Sequence, residues 1–320
     1  MSPWMQVVGL LVLTFIARSQ GGDGVLVGAG YSVRSPLQVA PGQVISVFSD
    51  GVHANVANAA VTNGNPLPSA LGGVSVVLHG GAFAKPLALP ILGLQRVSMC
   101  LLPSPDCQVY TAVTVQLPYD MAVNAPGTGR PKLSAILSIS AAGIILPGIE
   151  VFPVPDRIHI LTGCDVGRGR KVCDPHSFVG HLDGTVVTSD RPAKANEELV
   201  LYAYGLGATS PLALTGRTTP NGDFPAHAKL RVSFDFRPNA GASVCLTPED
   251  CSFTEAAGAL TPGAVGRYEI RFKPPPTPHR TPPCSSSGAP PGVERISSNL
   301  TVTVVGTTSY DSAAICFDAK

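Results

Sequence analysis

Charged side chains are scarce in this chain of 320 residues. Asp, Glu, Lys and Arg make up 13% of it, and 22 basic against 21 acidic side chains leave a formal net charge of +1. An average protein has about 25% charged residues. A nucleic-acid-binding surface needs a concentration of Lys and Arg, and so does a polybasic segment that binds anionic membranes. The composition therefore argues against both kinds of partner.

Aromatic side chains are also few. They make up 6% of the chain, and the single tryptophan is Trp4. Exposed aromatic rings supply the flat apolar area on which sugar-binding surfaces depend. Tyr202 and Tyr204 share one face of a predicted strand, opposite Leu201 and Ala203. A carbohydrate-binding module is therefore the alternative function, and this pair is its candidate surface.

Sequence motifs of the common enzyme classes are missing. No Gly-x-Ser-x-Gly, His-Glu-x-x-His or P-loop pattern occurs. Gly205 and Gly207 resemble part of a nucleotide-binding loop. However, Pro211 follows and no helical pattern comes after it, whereas phosphate binding by such loops needs a helix N-terminus. We predict that the protein is not an enzyme and uses no cofactor.

The one marked apolar run lies close to the N-terminus. Residues Met5–Ala17 form a predominantly apolar run, but the run is shorter than the roughly 20 residues of a membrane span. Ala17-Arg18-Ser19 fits the small-x-small pattern of a cleavage site. We predict that residues 1–20 are a signal peptide, and that the mature chain is secreted or lies at the cell surface without a membrane span. An uncleaved N-terminal anchor is the alternative.

The chain contains eight cysteines. In an exported protein cysteines are expected to form disulfides. Six of the eight lie in close pairs, and proximity favours pairing them locally and joining the remaining two to each other. The predicted pairs are Cys100–Cys107, Cys164–Cys173, Cys245–Cys251 and Cys284–Cys316.

A metal site is the competing interpretation for one of these pairs. Cys164, Cys173, His176 and His181 lie close together in sequence, and thiolates and imidazoles are common zinc ligands. Their spacing matches no zinc motif, so we favour the disulfide and predict no metal.

Glycine, proline and alternating apolar residues dominate the rest of the chain. There are 34 Gly and 31 Pro, and turn signals such as Asn221-Gly222 separate short segments in which apolar and polar residues alternate. One such segment runs from Leu230 to Arg237, and another from Tyr268 to Lys273. This period of two indicates strands with one face on a core. No helical period is present, so we predict an all-β protein built of sandwiches.

The same order of features occurs twice along the chain. Ala40–Phe48 corresponds to Lys194–Tyr202, and Cys100–Cys107 corresponds to Cys245–Cys251. The predicted organisation is therefore a tandem of two sandwiches. Its divisions are 1–20 (signal peptide), 21–155 (first sandwich), 156–190 (disulfide-stapled connecting segment) and 191–320 (second sandwich).

Several of these segments resemble a family of uncharacterised secreted proteins that is abundant in acidobacteria, the Solibacter-type C-terminal domain. The resemblance covers most of residues 35–305. It implies tandem immunoglobulin-like domains of the IPT/TIG kind, with no established activity and no site residues to transfer. Its motifs are Ala40–Phe48, Leu71–Val76, Val115–Tyr119, His181–Thr185, Arg191–Lys194 and Leu201–Thr209.

These observations together predict a secreted, non-enzymatic interaction or structural module. Its partner would be an extracellular protein or a glycan. A metal-binding or hydrolytic protein is the remaining, less favoured interpretation.

Overall fold

The computed structural model describes residues 26–27, 37–49, 52, 60–81, 83, 85–100, 107–126, 132–146, 148–162, 179–239, 251–278, 281, 284, 296–305 and 309–318. No described residue lies in a helix, and the regular structure consists of strands in several sheets. The predicted all-β class is confirmed. The predicted signal peptide lies outside the described residues.

The first half of the protein, through Pro153, forms two sheets. Their strand orders are β1-β3-β9-β8-β4 and β2-β12-β10-β6-β5, with β11 beside β10 and β7 beside β6. The strands are β1 (Leu26–Val27), β2 (Leu37–Val39), β3 (Val44–Ser49), β4 (Ala60–Val61), β5 (Ala70–Leu71), β6 (Val74–His79), β7 (Leu87–Ala88), β8 (Ile91–Cys100), β9 (Cys107–Gln116), β10 (Ala135–Ala141), β11 (Ile144–Ile145) and β12 (Ile149–Pro153).

Alternation along the strands builds the first core. In β6 and β10, buried residues alternate with half-buried ones. The two strands pair antiparallel, so their buried side chains lie on one face of the sheet. Val76 and Leu137 on this sheet belong to the same core as Val47 and Val113 on the other. The first half is thus two sheets packed around one apolar layer.

The second half, from Ile158, forms an eight-stranded sheet that folds back on itself. Its order is β13-β15-β18-β17-β16-β19-β20, with β14 beside β15. The strands are β13 (His159–Ile160), β14 (Val179–His181), β15 (Leu199–Tyr204), β16 (Leu230–Asp235), β17 (Cys251–Leu260), β18 (Tyr268–Phe272), β19 (Ser298–Val304) and β20 (Tyr310–Ile315).

Strand β17 belongs to both parts of this folded sheet. Residues 251–256 pair with β16 and residues 257–260 pair with β18. At the opposite margin, the Ser309 hydroxyl accepts a hydrogen bond from the Ile158 backbone N–H at 2.9 Å, and Asp311 accepts one from Ile160 at 2.8 Å. Side-chain hydrogen bonds therefore connect β13 with β20. The core of this half includes Phe234.

The described part of the predicted connecting segment belongs to the second half. Both β13 and β14 pair with β15, and Ile158, Ile160 and Val179 lie in the second core. The predicted boundaries between sandwiches remain predictions.

The same kind of turn precedes β3 in the first half and β15 in the second. In the first, Gln43 N–H donates to the Ala40 carbonyl at 3.2 Å, and the Gln43 side chain accepts from Ala40 N–H at 2.8 Å. In the second, Glu197 makes the same two contacts with Lys194, at 3.2 and 3.0 Å. The third residue of each turn has positive φ, +68° at Gly42 and +61° at Asn196, a region that Gly and Asn adopt most readily.

One predicted disulfide, Cys284–Cys316, is confirmed: a bond joins the two sulfurs and the Cα atoms are 5.0 Å apart. Cys100 and Cys107 are register partners at the end of the β8–β9 hairpin. Cys164, Cys173 and Cys245 lie outside the described residues, so the three local pairings remain predictions.

The two cysteine motifs do not occupy equivalent places. Strand β9 pairs with β3, and β18 pairs with β15, so β8–β9 corresponds to β17–β18. Cys100 and Cys107 flank the tip of the first hairpin, whereas Cys251 begins β17 opposite Asp235. The predicted equivalence of Cys100–Cys107 with Cys245–Cys251 is therefore wrong, because similar loop sequences serve different connections.

Candidate functional site

A loop of the second half, residues 209–219, reaches across to the first half; we call it the junction loop. Its start is held locally, because the Thr209 hydroxyl donates to the Pro211 carbonyl at 2.8 Å and accepts from Ala213 N–H at 3.1 Å. Leu212 and Leu214, on either side of buried Ala213, remain exposed. The loop thus presents two apolar side chains beside the first half.

Backbone and side-chain hydrogen bonds fasten the junction loop to the first half. Gly216 N–H donates to the Gln116 side chain at 2.7 Å, and the Gly216 carbonyl accepts from Leu67 N–H at 2.7 Å. Asn65 and Thr218 form a reciprocal pair: the Asn65 amide donates to the Thr218 hydroxyl at 2.8 Å, and Thr218 N–H donates back at 3.3 Å. Each bond joins one half to the other, so the loop is fixed at its C-terminal end.

Gly216 shows how closely the halves approach. Its φ is +74°, and a Cβ atom there would lie 2.9 Å from Cγ of Pro90. Any L side chain would therefore be strained in conformation and would also press on the first half.

Tyr119 of the first half belongs to the core of the second. It is 3% exposed and packs in the same cluster as Tyr268, and its backbone N–H donates to the Thr215 hydroxyl at 3.0 Å. Its phenolic oxygen has no hydrogen bond of normal geometry, although the Tyr268 hydroxyl and the Gln116 amide lie beside it. The Tyr268 hydroxyl donates to the Gly207 carbonyl.

Both phenols are neutral over the ordinary pH range. Burial raises the pKa of Tyr119 above its usual value, and the nearby Tyr268 and Gln116 offset this only in part. Burial, reinforced by Tyr119, also raises the pKa of Tyr268. The pair is therefore a packing element of the junction and not an acid–base pair.

Above these residues lies a cleft of about 450 Å³ between the two halves; we call it the junction cleft. This volume falls within the range of small-molecule sites, about 300 to 1,000 Å³. Leu212, Leu214 and Phe224 supply apolar surface, and Arg217 is the only charged side chain among the described residues that line the cleft. Tyr119 and Asn65 contribute from the first half. The arrangement can hold an apolar group while offering one cation.

A polar cluster lies elsewhere, around the hairpin that contains β14. The His181 ring donates to Glu197 through Nδ1 at 2.6 Å, and its Nε2 lies 3.3 Å from the Arg191 carbonyl oxygen. Partial burial raises the pKa of Glu197, but the hydrogen bonds from His181 and from Lys194 N–H outweigh it, and the net pKa is lowered. Hydrogen bonds from Thr185 and Arg191 hold the pKa of exposed Asp183 well below its usual value.

This cluster contains His181, one of the four residues of the alternative metal site. His181 is buried and already bonded to Glu197 and Arg191, while Cys164, Cys173 and His176 lie outside the described residues. Among the residues that the structure describes, no group of three His, Cys, Asp or Glu side chains could hold a metal ion. The cluster is best explained as the support of a turn.

One ring of the predicted sugar-binding surface contacts another side chain of the protein. The Arg267 guanidinium lies 4.7 Å from the centre of the Tyr202 ring, so this ring stacks on a side chain of its own protein. Exposed Phe253 has Arg231 over its ring in the same way, at 4.2 Å. One face of each ring is therefore engaged in a cation–π contact, and the sugar-binding surface remains a prediction.

Gly205 and Gly207 serve packing at the junction. A Cβ atom on Gly205 would lie 1.9 Å from the Arg157 carbonyl oxygen, and one on Gly207 would lie 2.0 Å from that of Pro155. Both have positive φ. The glycines are thus required where β15 ends and the chain passes between the halves.

Sequence reasoning did not identify the junction cleft. Gln43 precedes β3 and Gln116 ends β9, and both are buried, although glutamine is mostly exposed in proteins. Glycine spacing gave the only usable signal, because a Gly at a strand end commonly marks close backbone approach.

No protein-family model matches the chain, and no curated protein matches it either. Within the described ranges, no helix is long and apolar enough to cross a membrane.

Proposed function

We propose that this protein is a non-enzymatic binding module that acts outside the cell and takes its ligand in the junction cleft. The observation that carries the proposal is that two separately cored halves form one cleft, with apolar residues from the junction loop on one side and Tyr119 below. Ligand sites occur preferentially at such boundaries.

Two features support action outside the cell. The short apolar segment Met5–Ala17 is typical of a signal peptide, and a disulfide such as Cys284–Cys316 is stable mainly in oxidising compartments.

Repeated pairing supports a tandem of immunoglobulin-like sandwiches like that of the Solibacter-type family. In the first half β2 pairs parallel to β12. In the second, Ala193 forms a parallel bridge to Phe317 at the corresponding place. Each half therefore combines a parallel contact just before the equivalent turn with antiparallel pairing elsewhere.

A neutral fluorescent probe tests the proposed site. We expect N-phenyl-1-naphthylamine, whose emission rises in apolar surroundings, to bind the full-length protein saturably with one site per chain. Leu214→Asp should remove this binding, because a carboxylate would replace an apolar wall. Unsaturable emission, or unchanged binding in Leu214→Asp, would contradict the proposal.

Leu182→Asp is the matched control. Leu182 is 56% exposed and Leu214 is 67% exposed, but only Leu214 lines the cleft. We expect Leu182→Asp to bind the probe as the unaltered protein does, and circular dichroism should show both variants folded.

A further inference from the structure

We infer that the junction cleft selects a small amphipathic anion, with an apolar body and a single carboxylate or sulfonate group that Arg217 binds. This inference rests on the proposed function and names the chemical class of its ligand.

Charge is distributed unevenly in the cleft. Among the described residues of its lining, Arg217 is the only charged one, and none is Asp or Glu. Within the described part of the chain, Arg217 forms no ion pair. Its guanidinium therefore offers hydrogen-bond donors to a ligand without first leaving a carboxylate partner.

The five other arginines that the structure describes in the second half are already engaged. Arg191 pairs with Asp183, Arg237 with Asp235 and Arg271 with Glu269. Arg231 and Arg267 lie over aromatic rings. Arg217 thus differs from its neighbours in having both an apolar cleft beside it and no protein anion.

The polar groups nearest to Arg217 hold the loop itself. Asn65 and Thr218 bond to each other across the junction, and the Thr219 hydroxyl donates to the Ala264 carbonyl at 3.1 Å. These bonds fix the backbone on both sides of Arg217. A guanidinium that extends from a fixed backbone favours an anion that offers two oxygens for bidentate hydrogen bonds, as carboxylate and sulfonate groups do.

The apolar residues that line the cleft indicate that part of the ligand is apolar. Leu212 and Leu214 are exposed and would lose contact with water when an aromatic or branched aliphatic group enters. Burial of apolar area supplies the affinity, and Arg217 supplies the preference for an anion.

A matched pair of probes separates these two contributions. 8-Anilinonaphthalene-1-sulfonate and N-phenyl-1-naphthylamine share an aromatic framework and differ by a sulfonate. We expect the sulfonate to bind about tenfold more tightly, which corresponds to about 1.4 kcal/mol. Raising NaCl from 50 to 500 mM should reduce only the affinity of the anionic probe, because salt screens an exposed charge pair.

Variants of Arg217 assign the preference to this residue. Arg217→Gln should weaken the anionic probe five- to tenfold and change the neutral probe less than twofold. Arg217→Lys should retain part of the preference, since it keeps the charge but loses the bidentate geometry. In displacement experiments, 4-phenylbutyrate should compete with the bound sulfonate better than 4-phenylbutan-1-ol.

The outcomes distinguish the two proposals. Equal affinities of the two probes, or an unchanged preference in Arg217→Gln, would overturn the anion inference while cleft binding stands. Binding of neither probe, or binding that Leu214→Asp does not affect, would overturn the cleft as a site and the inference with it.

Discussion

Two turns of identical backbone design use their last side chain differently. In Ala40–Gln43 that side chain is a neutral amide, 2% exposed, and it donates across the junction to the Arg157 carbonyl at 3.3 Å. In Lys194–Glu197 it is a carboxylate that stays within the second half and accepts from His181. An amide can be buried against a carbonyl because it supplies a donor, whereas a buried carboxylate needs a donor or cation of its own.

The surroundings of the two turns explain this difference. A Cβ atom on Gly266 would lie 2.6 Å from the Gly42 carbonyl oxygen, and one on Gly205 would lie 3.3 Å from the Gln43 amide carbon. The first turn is therefore enclosed by the other half. Glu197 has a side chain 28% exposed, so its charge keeps contact with water.

The largest expected effect comes from Gly205→Ala, which disrupts the packing of the second half against the first turn. The added methyl would lie 1.9 Å from the Arg157 carbonyl oxygen at a φ of +80°. We expect a loss of at least about 3 kcal/mol in the free energy of unfolding, measured with urea, because steric overlap adds to the cost of positive φ.

Gly184→Ala is the matched control for this variant. Gly184 has a φ of +84° but no atom within 4 Å of the added methyl, so we expect it to cost about 1 kcal/mol, the conformational part alone. Equal losses in the two variants would show that close approach at Gly205 contributes nothing.

Gln43→Glu gives the first turn the carboxylate that Glu197 supplies in the second turn. A carboxylate at this position would face the Arg157 carbonyl without a cation, and we expect a loss of about 2 to 3 kcal/mol at pH 7. The new group should have a raised pKa in the folded protein, so the loss should decrease as pH falls and the acid form regains a donor. Urea unfolding between pH 4 and 8 measures this, and a loss that grows toward low pH would refute the buried environment.

Glu197→Gln makes the opposite exchange and should have the smallest effect. The amide can still accept from Lys194 N–H but loses its charge beside His181, which should cost about 1 kcal/mol at neutral pH. The folded pKa of Glu197 lies below its ordinary value of 4.5. Its contribution should therefore be complete above that value and be lost as pH falls through the folded pKa.

The measurement is the difference in unfolding free energy between Glu197→Gln and the unaltered protein from pH 3 to 6. That difference should shrink toward pH 3. A difference that stays constant over this range would mean that the carboxylate charge does not contribute.

Much of the second half could be predicted from local pattern. Alternation from Leu230 to Arg237 and from Tyr268 to Lys273 corresponds to β16 and β18, because strands with one buried face impose that period on the sequence. Proximity and elimination also identified the bond between Cys284 and Cys316. Such features depend on neighbours in the chain or on simple counting.

The junction cleft could not be predicted in this way. Tyr119 follows a first-half strand, yet its ring belongs to the second core. The junction loop has no periodicity, and its position depends on contacts with Gln116 and Leu67. The contact between Arg267 and the Tyr202 ring joins residues that lie far apart in the sequence. These arrangements depend on contacts between residues that lie far apart in the sequence, so a short sequence segment does not reveal them.

The hydrogen bonds between Asn65 and Thr218 join residues 153 positions apart. Contacts of such long range form late in folding, since the intervening chain must first lose much of its conformational freedom. The first half can complete its own sheets earlier, but the loop through Asn65 acquires its partner only when the second half is in place. Ligand binding in the cleft would therefore report that the two halves have come together, and a chain truncated before residue 209 would lack the loop that forms one wall of the cleft.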